Sequence, residues 1–296
     1  MSRPRRRVAM SYRTRMPRVG EQTHSPGNET DEIDRNARLT CGTDSGLPIA
    51  VSAGEDDQVP RYTDYCPIAT GVDVLGDRWT PLVIRELTVG SAGFNEIHRG
   101  IPRISRTLLA QRLRTLERRG LVRRQTTSTG RAGGYELTTA GEALSPIVWA
   151  MGHWAAEWMF TDPTENDWDG LTLIWRMHQQ ANREKLPKTP TVVHVRLSGA
   201  GGAEGWLKID AEGMTVCKDD QGHDVDLAVE GDTGQMYRWL SGITSFRDLI
   251  AEGHVRLLGP SRLARAFPTW FMPSMFATQM RKSARRTQRA DGLVRG

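Results

Sequence analysis

The sequence predicts an α+β protein of two modules, and three observations carry that prediction. Apolar spacing from residue 62 to 160 is helical, with a single short switch to strand-like alternation. Beyond residue 168, strands and short helices are mixed. Charge divides the same way: residues 62–160 hold twelve arginines against nine acids, whereas residues 165–280 hold twelve basic residues against fifteen acids. A basic patch confined to one module is an electrostatic footprint for polyanions. The 296-residue chain has room for two domains. Its hydrophobic content of 38% and mean hydropathy of −0.50 are low for a wholly globular chain, so part of it is expected to be unfolded.

That part is residues 1–61, read as a disordered arm. Seven arginines precede residue 20 without an acid, acids gather later at Asp31, Glu32, Asp34 and Glu55–Asp57, and no periodicity is sustained. Order is expected from about Tyr62. Cys66 to Leu75 reads as a helix ended by Gly76, and Asp77 as the N-cap of the next one, where Pro81 is tolerated in the first turn. Trp79, Leu82, Val83 and Leu87 supply its buried face. Phe94 to Arg99 is a two-turn helix closed by Gly100, and Ile101–Ile104 is a tight turn.

The first module is organised around Ser105–Gly120. Ser105 is a good N-cap, Leu109, Leu113 and Leu116 recur at i, i+4 and i+7, and Gly120 can close the helix. Roughly opposite that stripe lie Thr107, Gln111, Arg114 and Arg118, with Arg106 and Ala110 on the flank. From Arg99 to Arg131 there are ten arginines against one acid, Glu117. A polar face of Thr, Gln and Arg suits base edges in a major groove; a solvated basic face on a core helix is the plainer alternative. Short helix, tight turn and basic amphipathic helix follow the order of a helix-turn-helix. Two short strands, LVRRQTT and GYELTT, then flank a glycine-bearing loop with Arg131 at its tip, which makes a wing. Thr139 and Glu142 suggest a capping box that opens a helix running to about Phe160. Leu144, Ile147, Val148, Met151, Trp154, Ala155, Trp158 and Met159 give it more apolar surface than a small domain covers. Either a second copy or the second module must bury the excess.

Tyr65-Cys66-Pro67, Gly76-Asp77-Arg78-Trp79, the Phe94-Asn95-Glu96 helix entry, Ile104-Ser105, Leu109, Gln111-Arg112-Leu113, Leu116-Glu117, Gly120-Leu121-Val122 and Tyr135-x-Leu137-Thr138-x-x-Gly141 fall in one continuous stretch. Together they resemble the HxlR family, winged-helix transcription regulators related to the MarR type. The resemblance implies a homodimer on a pseudo-palindromic DNA operator, more often a repressor than an activator. It places Ser105, Thr107, Gln111 and Arg114 near bases and Arg131 in the wing. Arg131-Ala132-Gly133-Gly134-Tyr135 departs from the Pro-x-x-Val-Glu-Tyr-like wing entry usual in the family. Some members sense oxidants or quinones through a cysteine at the place of Cys66. A helix N-terminus favours the reactive thiolate, although a free cysteine is more often just buried packing.

Residues 161–168 read as a polar linker. Residues 169–280 then predict a helix over LTLIWRMHQQANREKL and a strand TVVHVRLS with Val193, Val195 and Leu197 on one face. A hairpin follows, EGWLKID and MTVCKD turning at Ala211-Glu212-Gly213, then the strand DVDLAVEGD. Helices QMYRWLSG and SFRDLIAEG, the strand HVRLLG and the helix PSRLARAFPTWF complete the module. Asp226–Asp232, Trp239–Gly242 and Ala251–Gly259 resemble the second half of sterol-carrier-protein-like domains. That resemblance implies an α+β sheet covered by helices, able to leave an apolar tunnel for a lipid-like effector. Trp206, Met236, Trp239, Phe246, Phe267 and Trp270 could line it, or could be core. Residues 281–296, six basic residues and one acid without an apolar face, read as a solvated basic tail.

Three widely spaced cysteines (Cys41, Cys66, Cys217) make neither a disulfide framework nor a metal cluster. No apolar run reaches a membrane span and the N-terminus lacks a secretory apolar region, so a cytoplasmic protein without a membrane partner is expected. Without a nucleophile elbow, phosphate loop or metal-spaced histidines, neither an enzyme nor a cofactor is expected. His153 and His178 fit satisfied core or interface positions. The expected function is transcription regulation, alone or modulated by an apolar ligand or by Cys66 oxidation. The alternative is a lipid or acyl carrier whose winged helix serves dimerisation.

Overall fold

Chemistry local to each turn sets the boundaries of the first module. The computed structural model describes residues 66–126, 132–161 and 163–294, all within one unit of the chain, residues 51–296. The arm expected over 1–61 and the wing arginine Arg131 lie outside the described residues. Helix α1 (Pro67–Leu75) starts on Cys66, extended at the N-cap, with Pro67 in the first turn. Asp77 does not cap α2 (Thr80–Thr88) from the N-cap position, which Trp79 occupies. Its Oδ1 instead accepts from the N–H groups of Trp79 at 2.9 Å and Thr80 at 3.2 Å. Helix α3 (Phe94–Gly100) begins with the Glu96 carboxylate accepting from the N–H groups of Ala92 and Gly93. Helix α4 (Arg106–Arg118) begins on Ser105, whose hydroxyl accepts from the Leu108 N–H at 3.2 Å. It ends on Gly120 at φ +68, where Leu121 N–H reaches Leu116 C=O and Gly120 N–H reaches Glu117 C=O; this left-handed cap favours glycine.

Strands β1 (Val122–Thr126) and β2 (Ala132–Leu137) pair antiparallel, with a register shift between Arg124 and Thr126. Leu109, Leu113 and Leu116 close on Val83, Ile97, Ile101, Ile104, Val122 and Tyr135 to form this module's core. The single helix expected from Thr139 is two, α5 (Thr139–Glu142) and α6 (Ser145–Trp158), and α5 is capped by Thr138, not Thr139. Pro146 explains the break. It has no N–H to offer the Glu142 carbonyl and its ring would strike it.

The second module begins with α7 (Gly170–Gln179), capped by Asp169 and shorter than its apolar pattern suggested. The chain leaves the helix there because Asn182 N–H bonds Trp270 C=O and Met272 N–H bonds Gln180 C=O, tying the segment to the end of the module. Strands β3 (Thr191–Ser198), β4 (Ala203–Asp210), β5 (Gly213–Cys217), β6 (Leu227–Asp232) and β7 (Val255–Leu258) form a sheet of order β5-β4-β3-β6-β7. Only β3 and β6 run parallel. The hairpin β4–β5 turns through Ala211 and Glu212, with Gly213 at φ +132. Helices α7, α8 (Thr233–Leu240), α9 (Phe246–Ala251) and α10 (Ser261–Ala266), with a 3₁₀ turn at Phe267–Trp270, bring apolar side chains to one core with the sheet. Val193, Val195, Leu197, Leu207, Ile209, Leu227 and Val229 point into that core, as strand alternation requires.

The stretch read as a solvated tail begins inside helix α11 (Ala277–Val294), which packs along α6; residues 281, 282 and 285–287 are exposed as expected, whereas Ser283 and Ala284 are buried. Phe276 meets the rings of Trp149 and His153, Ala284 is buried, and the Ser283 hydroxyl hydrogen-bonds the carbonyls of Ala156 and Glu157. The small residues Ser283 and Ala284 let the helices approach where sequence counting saw only charge. Among the described residues, no helix is long and apolar enough to cross a membrane.

Candidate nucleic-acid interface

The outward face of α4 is set by the three leucines that bury the other side. Ser105, Arg106, Thr107, Gln111 and Arg114 are exposed, and Ala110 is half-buried. Their availability differs. Ser105 spends its oxygen on the helix cap. Arg106 is held beside Asn95, donating to its Oδ1 at 2.9 Å, and lies over the Phe94 ring. Thr107, Gln111 and Arg114 have no side-chain partner among the described residues.

Most of the arginines around them do have one. Arg112 pairs with Asp77 at 2.9 Å, Arg119 donates to the Asp73 carbonyl at 2.7 Å, and Arg123 and Arg124 pair with Glu136 and Glu117. Arg99 lies over Trp175, Arg103 reaches the Asn166 carbonyl, and Arg118 reaches Thr115. Among its described residues, the basic run therefore resolves into arginines engaged within the fold and one, Arg114, that points outward unengaged on α4.

Behind α4, the turn that launches it is braced by a buried carboxylate. Glu86 on α2 is fully buried. Its Oε1 accepts from Arg85 and Arg176, each at 2.7 Å, and its Oε2 from Gln179 at 2.7 Å and Ser91 at 3.3 Å. Arg176 and Arg85 also donate to the Gly100 carbonyl at 2.6 and 3.0 Å. Burial pushes the Glu86 carboxyl up, but the guanidiniums of Arg176 and Arg85, with hydrogen bonds from Arg176 and Gln179, outweigh it and hold the group below the ordinary carboxylate range. Burial lowers Arg85 most, and the neighbouring Arg176 charge lowers it further.

Gly100, read from sequence as a helix closer, is needed for a different reason: a Cβ there would lie on the Glu86 carboxylate. Gly100→Ala is expected to lose about 1–3 kcal/mol in urea denaturation, because overpacking outweighs the gain in helix propensity. A neutral or stabilised variant would show that the carboxylate can move aside freely.

An apolar stripe faces outward on α6. Ile147, Met151, Trp154 and Trp158 recur at i, i+4, i+7 and i+11 and are 49–64% exposed. Ile68 and Val72 on α1 are exposed as well. Helix α11 packs on another side of α6 and reaches the end of the stripe, where the Arg286 guanidinium lies over the Trp158 ring at 5.4 Å; Ile147, Met151 and Trp154 stay about half exposed.

Residues 74–163 match the HxlR-like helix-turn-helix family. A Bacillus subtilis relative, the uncharacterized HTH-type transcriptional regulator YvaP, is 38% identical over 106 residues, which are 35% of this chain and 96% of that protein. The chain belongs to the HxlR-like helix-turn-helix family. YodB, an HTH-type transcriptional regulator of the same organism, is 38% identical over 100 residues, 33% of this chain and 88% of YodB. A solved structure of the redox regulator HypR in its oxidized form is 34% identical, with a TM-score of 0.29, covering 30% of this chain and 94% of that one. All three likenesses are to proteins about a third as long as this HxlR-like chain.

The residues expected to line a ligand tunnel are not brought around one space. Trp206 lies on the opposite face of the sheet, because its strand neighbours Gly205 and Leu207 take the core side; it stacks on His194 with ring centroids 4.6 Å apart. Met236, Phe267 and Trp270 are close-packed core. Trp239 and Phe246 do meet, 4.8 Å apart, and with Phe271, Met272 and Arg281 they border an open cleft of about 480 Å³.

Cys66 is half-buried at the start of α1 and its thiol makes no capping hydrogen bond. The expectation of fully satisfied histidines needs amending. Nδ1 of both His153 and His178 is buried without a hydrogen-bond partner, and burial pushes the His178 imidazole down. Sequence reasoning missed Glu86, Arg176 and Gln179. An Arg-Glu pair on a helix reads as solvated, and the partners that bury Glu86 lie about ninety residues later.

Proposed function

We propose that this HxlR-like protein is a sequence-specific transcription regulator that acts as a homodimer on a pseudo-palindromic DNA operator, with α4 in the major groove. The observation that carries the reading is the state of the α4 face. Thr107, Gln111 and Arg114 keep free hydrogen-bonding groups while the surrounding arginines are engaged within the fold. Arg114 can pair bidentate with guanine and Gln111 with adenine. The engaged arginines and Arg106 supply positive potential and phosphate contacts that position without specifying. The α1 and α6 stripe supports a second copy as its cover, and the family resemblance favours repression.

The test is a titration onto the DNA upstream of its own gene against random duplex, at two salt concentrations. A preference of about a thousandfold or more is expected at physiological salt. Arg114→Ala should lose about 1–3 kcal/mol of that preference while changing random-duplex binding little. Equal losses on both duplexes would show Arg114 to be a phosphate contact.

The cleft beside Trp239 and Phe246 favours a second element of the reading: the C-terminal module, which resembles sterol-carrier-like domains, takes an apolar small-molecule effector there. Trp239 fluorescence should respond to a fatty-acid probe; a protein whose emission and DNA affinity ignore such probes would be an unliganded regulator. Cys66 oxidation is the competing input. Cys66→Ser should abolish any loss of DNA binding caused by diamide if the thiol is the sensor.

A further inference from the structure

The brace around Glu86 joins two parts of the molecule with separate tasks. Arg85, Glu86, Ser91 and Gly100 belong to the winged-helix module, whereas Arg176 and Gln179 belong to α7 of the C-terminal module. Gly100 is the last residue of α3, and only Ile101–Ile104 separate it from the Ser105 cap of α4. That turn is itself stiff. Ile104 N–H bonds Ile101 C=O at 3.1 Å, and His98 Nε2 lies 3.0 Å from the Ile104 carbonyl oxygen. Ile101 and Ile104 are buried in the core that also holds the α4 leucines. A force applied at the Gly100 carbonyl therefore reaches α4 with little slack.

From these contacts we infer that Arg176 and Gln179 are positioning residues for the recognition helix, so that the docking of the C-terminal module sets the pose in which α4 meets DNA. The inference rests on the DNA-reading role proposed above. One guanidinium performs both halves of the brace, with one nitrogen of Arg176 on Glu86 and another on the Gly100 carbonyl. Lysine has no second, fixed nitrogen with which to reproduce this. Gln179 occupies the other carboxylate oxygen and also bonds the Ser91 hydroxyl at 3.1 Å. Trp175, one turn of α7 away, receives the Arg99 guanidinium over its ring at 5.5 Å and adds a second contact to α3. Remove α7, and Glu86 keeps only Arg85 as a charged partner. In a dimer whose recognition helices must enter grooves about 34 Å apart, a small rotation at this turn moves the reading face out of register.

The experiment uses the full-length protein. Arg176→Met removes the charge and the hydrogen bonds to Glu86, the Gly100 carbonyl and Gln179 while keeping the apolar stem. Its preference for the upstream duplex over random duplex should fall by about tenfold or more, with random-duplex binding unchanged. Arg176→Lys should fall in between. Arg196→Met, which breaks an ion pair with Glu230 on the solvent face of the sheet, should behave as wild type. Without DNA, amides of residues 101 and 103–108 should exchange hydrogen at least about tenfold faster in Arg176→Met than in wild type.

Unchanged exchange and unchanged preference in a folded Arg176→Met protein would overturn the positioning role. A wild-type protein with no preference for any upstream duplex would instead overturn the DNA-reading proposal, and the exchange result would still decide whether α7 stiffens the turn. Should Arg176→Met fail to fold, Gln179→Leu decides. It removes the hydrogen bonds donated to Glu86 and Ser91 and the one accepted from Arg176 without unbalancing charge, and wild-type exchange and preference in that variant would overturn the inference.

Discussion

Glu86→Gln is expected to destabilise the protein by about 2–4 kcal/mol, the cost of leaving two half-buried guanidiniums without their counter-ion. Arg85 and Arg176 converge on one carboxylate oxygen, and a neutral amide cannot offset either charge while offering one of its two ends as a donor. Replacing Arg85, Glu86 and Arg176 together by leucine should cost far less, because no charge is then left buried alone. The pH dependence has a definite sign. The folded carboxyl is held below its ordinary value, so its stabilisation is complete above the unfolded value of about 4.3 and is lost as pH falls through the lower, folded one. Urea denaturation of wild type and Glu86→Gln should therefore differ by a constant amount near neutrality and converge in acid. Parallel curves down to the acid limit would show that the carboxylate charge contributes nothing.

Trp154→Glu is expected to convert a dimer into a monomer and to weaken binding to a two-half-site duplex by about a hundredfold to ten-thousandfold, the loss of linked half-site binding. Trp154 is 57% exposed at the middle of the α6 stripe and makes no ring contact among the described residues. The substitution therefore leaves the monomer intact and places a charge where a second copy would seat. Sedimentation measures the first effect and a duplex titration the second. A Trp154→Glu protein that stays dimeric would move the interface off α6.

What could be read before folding was whatever depended on neighbours in sequence. The Leu109, Leu113 and Leu116 stripe, the Ser105 cap, the Gly120 stop and the alternation through Val193, Val195 and Leu197 all follow from periods of 3.6 or 2, and the structure has each of them. The exposed α4 face follows from the same stripe. Illegible features depended on distant partners. The arginines of the basic run look alike in a string, and it is partners distant in sequence, such as Asp77, the Asp73 carbonyl, Trp175 and the Asn166 carbonyl, that separate the engaged ones from Arg114. Trp206 looked like a core aromatic until strand register placed it opposite Leu207. The basic C-terminus looked solvated because the surface that buries Ser283 and Ala284 belongs to a helix more than a hundred residues earlier.

Helix α11 returns the chain to α6, so residues 161–276 leave the winged helix and come back to it at nearly the same place. The C-terminal module is thus hinged at its base as well as latched at Glu86. With its base held, the latch closes at a high effective concentration and needs little intrinsic affinity to stay shut. Each time the latch opens, the held base returns Arg176 and Gln179 to the same carboxylate and the same Gly100 carbonyl, so the contact re-forms in one register.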